Sequence, residues 1–192
     1  MTESPDWRAR RWAATHQRIY DTALELFQQR GFEAVSVGEI AHEAGVSVPT
    51  FYAHYASKEH LIMQLPTANE FAALLATQPA DLPLSDRIRR AVPQWLAQWT
   101  PEFREDVLTR WKIVAATPSL RTRAAEFERT TGGVVADALP TEPGRAPRPE
   151  DSIVVNAYMS AYTLSLLRWA DCNGERKLEE LLDEAFQALR RR

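Results

Sequence analysis

The stretch Ser36–Lys58 constrains the fold more than any other part of the chain. Ser36, followed three residues later by Glu39, forms a capping-box pattern, in which each side chain satisfies a free backbone N–H at a helix start. Gly45 then ends that helix, because a left-handed backbone costs least without a Cβ, and Ser47 can cap the next helix. Two short helices around a glycine-containing turn are typical of a helix-turn-helix, whose second helix can enter the major groove of DNA.

The overall composition is that of an ordinary globular protein. Of the 192 residues, 45% are apolar and 26% are charged, and the formal net charge is −3, so DNA binding would depend on the local placement of cations. The N-terminus lacks the apolar core of a signal peptide and no apolar run reaches the length of a membrane span, so we expect a cytoplasmic protein with no membrane partner. Cys172 is the only cysteine, and no Cys/His cluster predicts a metal or cofactor site.

Helical signals recur along the chain, and no alternating strand of useful length interrupts them. We predict an all-α fold of about nine helices, divided into a small N-terminal domain at residues 1–60 and a larger helical domain at residues 61–192. Pro66 should interrupt a helix near this boundary, since proline removes one helical hydrogen bond, and a second capping box opening at Thr67 can restart it. The proline-rich residues 140–149 indicate a surface loop.

Four arginines cluster before and on the first helix, which is predicted to end at about Arg30; they are Arg8, Arg10, Arg11 and Arg18. One interpretation is a solvated, frayed chain terminus, because charge runs at termini are common. The other is a basic arm that contacts DNA phosphates. The sequence favours neither interpretation.

Residues 18–61 closely resemble the DNA-binding domain of the tetracycline-repressor (TetR) family of bacterial regulators. The resemblance rests on several motifs in register, namely Phe27 with Gly31-Phe32, Ile40-Ala41, Ala44-Gly45-Val46, Phe51-Tyr52 and Ser57-Lys58. It implies a three-helix DNA-binding domain joined to a helical ligand-binding and dimerisation domain. It further implies a homodimer formed through the last two helices, a palindromic double-stranded DNA operator, and a small effector that releases the DNA.

The resemblance also implies that the start of the second helix and the whole third helix contact DNA. The matching positions are Ser36, Val37, Gly38, Ser47, Val48, Pro49, Thr50, Tyr52, His54 and Lys58. Val48 and Pro49 offer only apolar contact, for example to a thymine methyl. Tyr52, unless it packs inward, and Lys58 suit phosphates.

Structural alternatives stand beside these assignments. Ser36 and Ser47 can be helix caps and nothing more, and His54 can be a plain surface residue. Phe51 and Tyr55 are predicted to be core residues, because they share the buried face of the third helix.

The middle of the chain is rich in aromatic residues, which either fill a helical core or line an effector chamber. The candidate chamber residues are Phe71, Trp95, Trp99, Phe103, Arg110, Trp111, Tyr158 and Tyr162. Residues 110–129 resemble family members with an acyl-CoA-like ligand domain, which suggests a hydrophobic or amphipathic effector. Arg121 and Arg123 would then meet phosphates at the chamber mouth, unless they are simply solvated.

A line of small residues with an aromatic anchor on the penultimate helix, together with apolar residues of the last helix, predicts a dimer interface. These residues are Ala157, Ala161, Ser165, Trp169, Leu182 and Phe186. The alternative is that the same stripes pack inside one chain.

The leading interpretation is a ligand-responsive repressor that binds DNA as a homodimer. The alternatives are a DNA-binding regulator without an effector, or an activator. An enzyme is disfavoured and no catalytic residue is predicted, because all four histidines lie in the first 60 residues and no nucleophile–base pair stands out. We expect an effector signal to pass through the Pro66–Thr67 joint.

Overall fold

The computed structural model of the protein describes residues 5–64, 67–137 and 149–190. These ranges contain ten α-helices and no strand, which confirms the predicted all-α class with one helix more than the approximate count. The contacts divide the chain into two compact units, residues 1–64 and residues 65–192. The predicted joint at Pro66 and most of the predicted loop, residues 140–148, lie outside the described residues.

The first unit contains four helices: α1 (Pro5–Arg30), α2 (Val37–Glu43), α3 (Val48–His54) and α4 (Lys58–Ile62). Helix α1 runs through the basic lead-in, so the arginines at its start lie on a helix. Its inner face and the short helices share a core in which Ile19, Phe51 and Leu61 are completely buried. Removing such side chains from water supplies about 1.5–3 kcal/mol each, which is why three helices of seven residues or fewer persist here.

The second unit contains six helices: α5 (Ala68–Ala76), α6 (Leu84–Leu96), α7 (Pro101–Ala116), α8 (Pro118–Asp137), α9 (Pro149–Asp171) and α10 (Leu178–Arg190). Helix α9 is the centre of this unit, because it contacts α6, α7, α8 and α10. Helix α6 continues through Pro93, a residue type that usually kinks or ends a helix, and ends three residues later. None of the helices in the described ranges has the length and apolarity needed to cross a bilayer.

Both predicted capping boxes are confirmed, and a further helix cap is present. The Ser36 and Thr67 side chains both take part in capping boxes, and Thr100 Oγ1 accepts a hydrogen bond from the Phe103 N–H at 3.2 Å. Ser57 differs, because its Oγ lies 2.9 Å from His60 Nδ1 and makes no capping hydrogen bond to the backbone.

Two adjacent glycines in α8 differ sharply in their surroundings. A Cβ at Gly132 would lie 2.4 Å from Asn156 Oδ1 of α9, whereas a Cβ at Gly133 would meet nothing within 4 Å. Asn156 is itself held by a 2.8 Å hydrogen bond from Nδ2 to the Ser152 carbonyl. Gly132 therefore permits the close approach of α8 to α9, and Gly133 does not serve that purpose.

We expect Gly133→Ala to stabilise the protein by up to about 1 kcal/mol, the helix-propensity difference between glycine and alanine. Gly132→Ala gains the same propensity but crowds Asn156, and overpacking costs about 1–3 kcal/mol. Urea denaturation at one fixed protein concentration should therefore rank Gly133→Ala above wild type and Gly132→Ala below Gly133→Ala. Equal midpoints for the two alanine variants would contradict the packing role of Gly132.

Candidate nucleic-acid interface and effector cavity

The turn between α2 and α3 is held by backbone hydrogen bonds. The Val46 N–H donates to the Ala41 carbonyl at 2.9 Å, and Gly45 adopts a positive φ of 64°, a conformation that favours glycine. Ser47 Oγ then accepts from the Thr50 N–H at 3.2 Å and caps α3. The local sequence thus produces a helix-turn-helix and sets the start of its second helix.

Helix α3 divides into an inner and an outer face. Phe51 is 0% exposed and Tyr55, just after the helix, is 5% exposed, which confirms both as core residues. On the outer face Tyr52 is 52% exposed and Val48 is 40% exposed, so Tyr52 does not pack inward. Thr50 is half-buried, and its hydroxyl lies 2.8 Å from Ser47 Oγ.

The remaining predicted contact positions at the helix starts are also accessible. Ser36, Gly38, Ser47 and Pro49 are exposed, and Val37 is half-buried at the first turn of α2. The outer face of α3 and the start of α2 therefore present polar, apolar and backbone N–H groups to solvent, a mixture that suits DNA.

Lys58 has contacts inside the first unit that the sequence did not predict. Its Nζ donates to the carbonyl oxygens of Phe32 and Val35 at 2.9 and 3.0 Å and lies 4.2 Å from the centre of the Phe32 ring. The ammonium thereby fastens the start of α4 to the segment between α1 and α2. Two of its three donors are used in this way.

An aromatic cluster connects α1 to the end of α3. The ring of Trp12 lies 4.8 Å from that of His16 and 4.8 Å from that of His54, and His16 stacks on Tyr55 at 4.2 Å. The Tyr55 hydroxyl donates to the His16 carbonyl at 3.2 Å. His54 therefore packs against α1 and is not a plain surface residue.

Both histidines of this cluster favour the uncharged form. Burial lowers the pKa of His16, and the neighbouring His54 lowers it further; burial likewise lowers the pKa of His54. A pKa lowered on folding means that the unfolded chain binds more protons. The contribution of this pair to stability is thus complete above the ordinary histidine pKa of 6.5 and declines as the pH falls below it.

A small apolar cavity lies in the second unit. Its volume is about 20 Å³, and it is lined by Phe71, Leu74, Ile88, Val92, Trp95, Tyr158, Met159, Tyr162 and Phe186. Such a space holds little more than one water molecule. Among the residues that the structure describes, this cavity is nearly filled by its own side chains.

Four predicted chamber residues line this cavity, and four do not. Trp99, Phe103, Arg110 and Trp111 are absent from its wall. Phe103 is 45% exposed, whereas Arg110 and Trp111 are each 2% exposed, because α8 and α9 pack against α7. Arg110 Nε donates to Asp106 at 3.0 Å. Burial raises the pKa of the Tyr162 hydroxyl, and nearby Arg110 partly opposes that rise.

Residues 19–65 match the family model described as bacterial regulatory proteins, tetR family. Residues 82–192 match a second model, the MftR C-terminal domain, which covers more than half of the chain. The chain belongs to the tetR family. Members of this family are regulatory proteins, so the protein is a transcriptional regulator, and the alternative that it is an enzyme is excluded.

The relatives of this tetR family member differ in how much of it they match. The putative mycofactocin biosynthesis transcriptional regulator MftR of Mycobacterium tuberculosis is 30% identical over 147 residues, 68% of this chain and 73% of that protein. The regulator YerO of Bacillus subtilis is 45% identical over 47 residues, 24% of this chain and only 16% of YerO. The crystal structure of NalD, a repressor from Pseudomonas aeruginosa, superposes with a TM-score of 0.50 and 22% identity over 91% of this chain and 95% of NalD, which supports the fold alone.

The predicted dimer line requires a correction. Ala161, Ser165, Trp169, Leu182 and Phe186 are at most 6% exposed within a single chain, and only Ala157 is half-buried. Ser165 Oγ donates to the Ala161 carbonyl at 2.8 Å and lies 3.3 Å from the Leu181 carbonyl of α10. The ring of Phe186 packs against that of Tyr158, with 4.9 Å between the ring centres. The five buried residues therefore pack inside their own chain, and only Ala157 of the predicted line stays partly accessible to a second subunit.

A neighbouring face of α9, which includes Ala157 of the predicted line, carries two exposed apolar side chains that the sequence did not predict. Ile153 is 70% exposed and Leu164 is 55% exposed, and half-buried Ala157 and Ser160 lie between them. The intervals of four, three and four residues place all four on one face of the helix. The same spacing is visible in the sequence, but α9 is apolar on more than one side and periodicity alone does not say which side faces its own core.

Proposed function

We propose that this tetR family member is a ligand-responsive repressor that binds a palindromic operator as a homodimer and is released by a small hydrophobic effector. The N-terminal helix-turn-helix unit would bind DNA, and the larger helical unit would bind the effector and the second subunit. The observation that carries the DNA-binding part is the exposed outer face of α3 behind a capped, glycine-containing turn.

For DNA recognition we assign backbone and base contacts to different groups. Ser36, Val37 and Gly38 would offer backbone N–H groups to a phosphate. Val48 and Pro49 would make apolar base contacts, with Ser47 and Thr50 supplying hydroxyls beside them. Tyr52 would donate its hydroxyl to a phosphate. His54 packs against α1, so we assign it the positioning of α3 in place of a direct contact.

The test begins with selection of binding sites from a pool of random-sequence DNA duplexes. A palindromic sequence should emerge, and the purified protein should bind it in preference to unrelated DNA. Failure to bind any duplex, specific or unrelated, would refute the proposed function.

The selected duplex then permits a single-atom comparison. Tyr52→Phe should weaken binding to operator and unrelated DNA alike by roughly tenfold, because a dimer loses two hydrogen bonds of about 0.5–1.5 kcal/mol each. Tyr55→Phe is the matched control, since it deletes the same hydroxyl oxygen from a buried tyrosine, whose hydroxyl donates to the His16 carbonyl. If Tyr52→Phe binds as tightly as Tyr55→Phe, the phosphate contact of Tyr52 does not exist.

The effector assignment rests on the chemistry of the cavity wall. All nine lining residues are apolar or aromatic, which suits a hydrophobic ligand. A drug-sized ligand needs on the order of several hundred Å³, so binding would have to spread Phe71, Trp95 and Phe186 apart. We propose an acyl chain or a similar hydrophobic group as the occupant.

The acyl-CoA form of this proposal needs cations for the phosphates of the coenzyme, and Arg121 is already engaged by other groups. Arg121 Nε donates to the Ala115 carbonyl at 2.6 Å, and its Nη2 donates to Asp171 at 2.5 Å, so this guanidinium already joins the α7–α8 junction to the end of α9. Native mass spectrometry of protein purified from cells would test the proposal. A co-purified acyl compound supports it, and a small cationic compound refutes it.

The nearly filled cavity also supports a second candidate, a DNA-binding regulator without an effector. Thermal shift with a panel of fatty acids and acyl-CoA thioesters separates the two candidates. A ligand that both raises Tm and releases the selected duplex supports the ligand-responsive repressor. If no compound of the panel has these two effects, the regulator without an effector is supported.

A further inference from the structure

Two open clefts adjoin each other between the first half of α1 and helix α3. Their volumes are about 480 and 370 Å³. Arg11, Thr15 and Thr50 line both clefts. Helix α3 therefore borders this groove through Thr50 and His54, and the helix-turn-helix motif alone does not contain such a groove.

The groove is lined by cations. Arg18 lies in one cleft and Arg8 in the other, with Arg11 in both, and none of the described residues that line either cleft is acidic. Arg18 Nε donates to the Ala44 carbonyl at 2.8 Å, which holds that guanidinium beside the α2–α3 turn. In a protein of net charge −3, such a local concentration of arginines is an anion-binding feature.

The aromatic cluster holds this groove in shape. Trp12 adjoins Arg11 along α1, and its ring lies against both His16 and His54. Because burial keeps the pKa of each imidazole low, the cluster packs without adding charge between α1 and α3. Arg11 also lies over the ring of Trp7, 5.2 Å from its centre.

We propose that this groove binds a backbone phosphate of DNA, with Arg11 and Arg18 as the cations, Thr50 as a hydroxyl partner and Trp12 as the positioning residue. The inference rests on the proposed function, and it extends the DNA interface from α2 and α3 onto α1. A guanidinium offers several donors in a planar fork that matches phosphate oxygens. Of the two interpretations of the N-terminal arginines, this proposal therefore selects contact with DNA phosphates over a solvated, frayed terminus.

The test compares two charge-equivalent variants on the selected duplex across a series of salt concentrations. Arg11→Gln should reduce the slope of log affinity against log salt by about 0.9 for each phosphate that the variant no longer neutralises, or roughly 1.8 for a dimer. Arg10→Gln is the matched control, because it removes the same charge from the neighbouring position, and Arg10 lines neither cleft. Equal slopes and affinities for the two variants would overturn the inference.

A second pair of variants tests positioning. Trp12→Ala should reduce the salt slope as Arg11→Gln does, and Trp12→Phe should restore it, because a phenyl ring can still stack on the imidazoles. Circular dichroism melting of each variant without DNA keeps folding separate from binding. Wild-type protein that binds no duplex refutes the proposed function, whereas normal wild-type binding with an unchanged slope for both Arg11→Gln and Trp12→Ala refutes this inference alone.

Discussion

Replacing Ile153 and Leu164 together with glutamate should convert the protein to a monomer and remove most of its affinity for the selected duplex. Both side chains are largely exposed on one face of α9, and a homodimer of this tetR family member would cover them. Each subunit would carry two carboxylates into an apolar contact, and an unpaired buried charge costs several kcal/mol. Sedimentation velocity at micromolar concentration should show the monomer mass.

Operator affinity should fall because a palindromic site is bound by two linked halves. A monomer makes half of the contacts and loses the effective-concentration advantage of the second half, which is worth on the order of a hundredfold or more. Fluorescence anisotropy with a labelled duplex measures this loss.

Val134→Glu provides the matched control for the α9 double variant. Val134 is 54% exposed and apolar, but it lies on α8. The α9 variant should be monomeric and the Val134 variant dimeric. A dimer that survives both glutamates on α9 would show that the subunits meet elsewhere.

The dimer residues illustrate what a sequence pattern determines and what it leaves open. The sequence predicts that Ala157, Ala161 and Ser165 permit the close approach of a second subunit, but Ser165 contacts α10 of the same chain. Helix α9 contacts four helices and is apolar on most of its circumference. A hydrophobic period therefore identifies the helix without identifying the face that a second subunit would cover.

Local chemistry was more predictable than side-chain destinations. Ser36 and Glu39 cap α2 because both groups lie within one turn, and their hydrogen bonds span only three residues. The cavity depends on contacts between residues far apart in sequence, such as Trp95 with Tyr162, whose rings lie 6.2 Å apart. Phe103 shares the helical spacing of the buried residues of α7 and nevertheless faces solvent.

Lys58 shows that a motif can predict a residue type correctly while the folded structure gives that residue a different role. The resemblance places a cation at the start of α4, and a phosphate contact is the role it implies. The ammonium instead satisfies the carbonyl oxygens of Phe32 and Val35, whose positions depend on the fold of the whole N-terminal unit. One remaining donor still permits a phosphate contact, so the two roles must be separated by experiment.

Lys58→Met should destabilise the N-terminal unit by about 3–6 kcal/mol, because hydrogen bonds to a charged group contribute about 1.5–3 kcal/mol each and the variant removes two of them. Methionine keeps a similar length and apolar stem, so the change acts on the charge and its hydrogen bonds. Urea unfolding without DNA, followed by circular dichroism, should show an earlier transition than in Tyr52→Phe, whose side chain lies on the outer face of α3. Lys58→Arg retains the charge and should recover part of the stability.

The same variant separates the structural role of Lys58 from a role on DNA. If the ammonium acts mainly inside the fold, Lys58→Met should lower the unfolding midpoint. Its DNA affinity, measured at a low temperature at which the variant remains folded, should then stay close to that of wild type. A phosphate contact predicts the reverse, namely an unchanged unfolding midpoint with weaker binding and a salt slope reduced by roughly 1.8 for the dimer. The two carbonyl contacts favour the first outcome, since their 2.9 and 3.0 Å distances are those of well-formed hydrogen bonds.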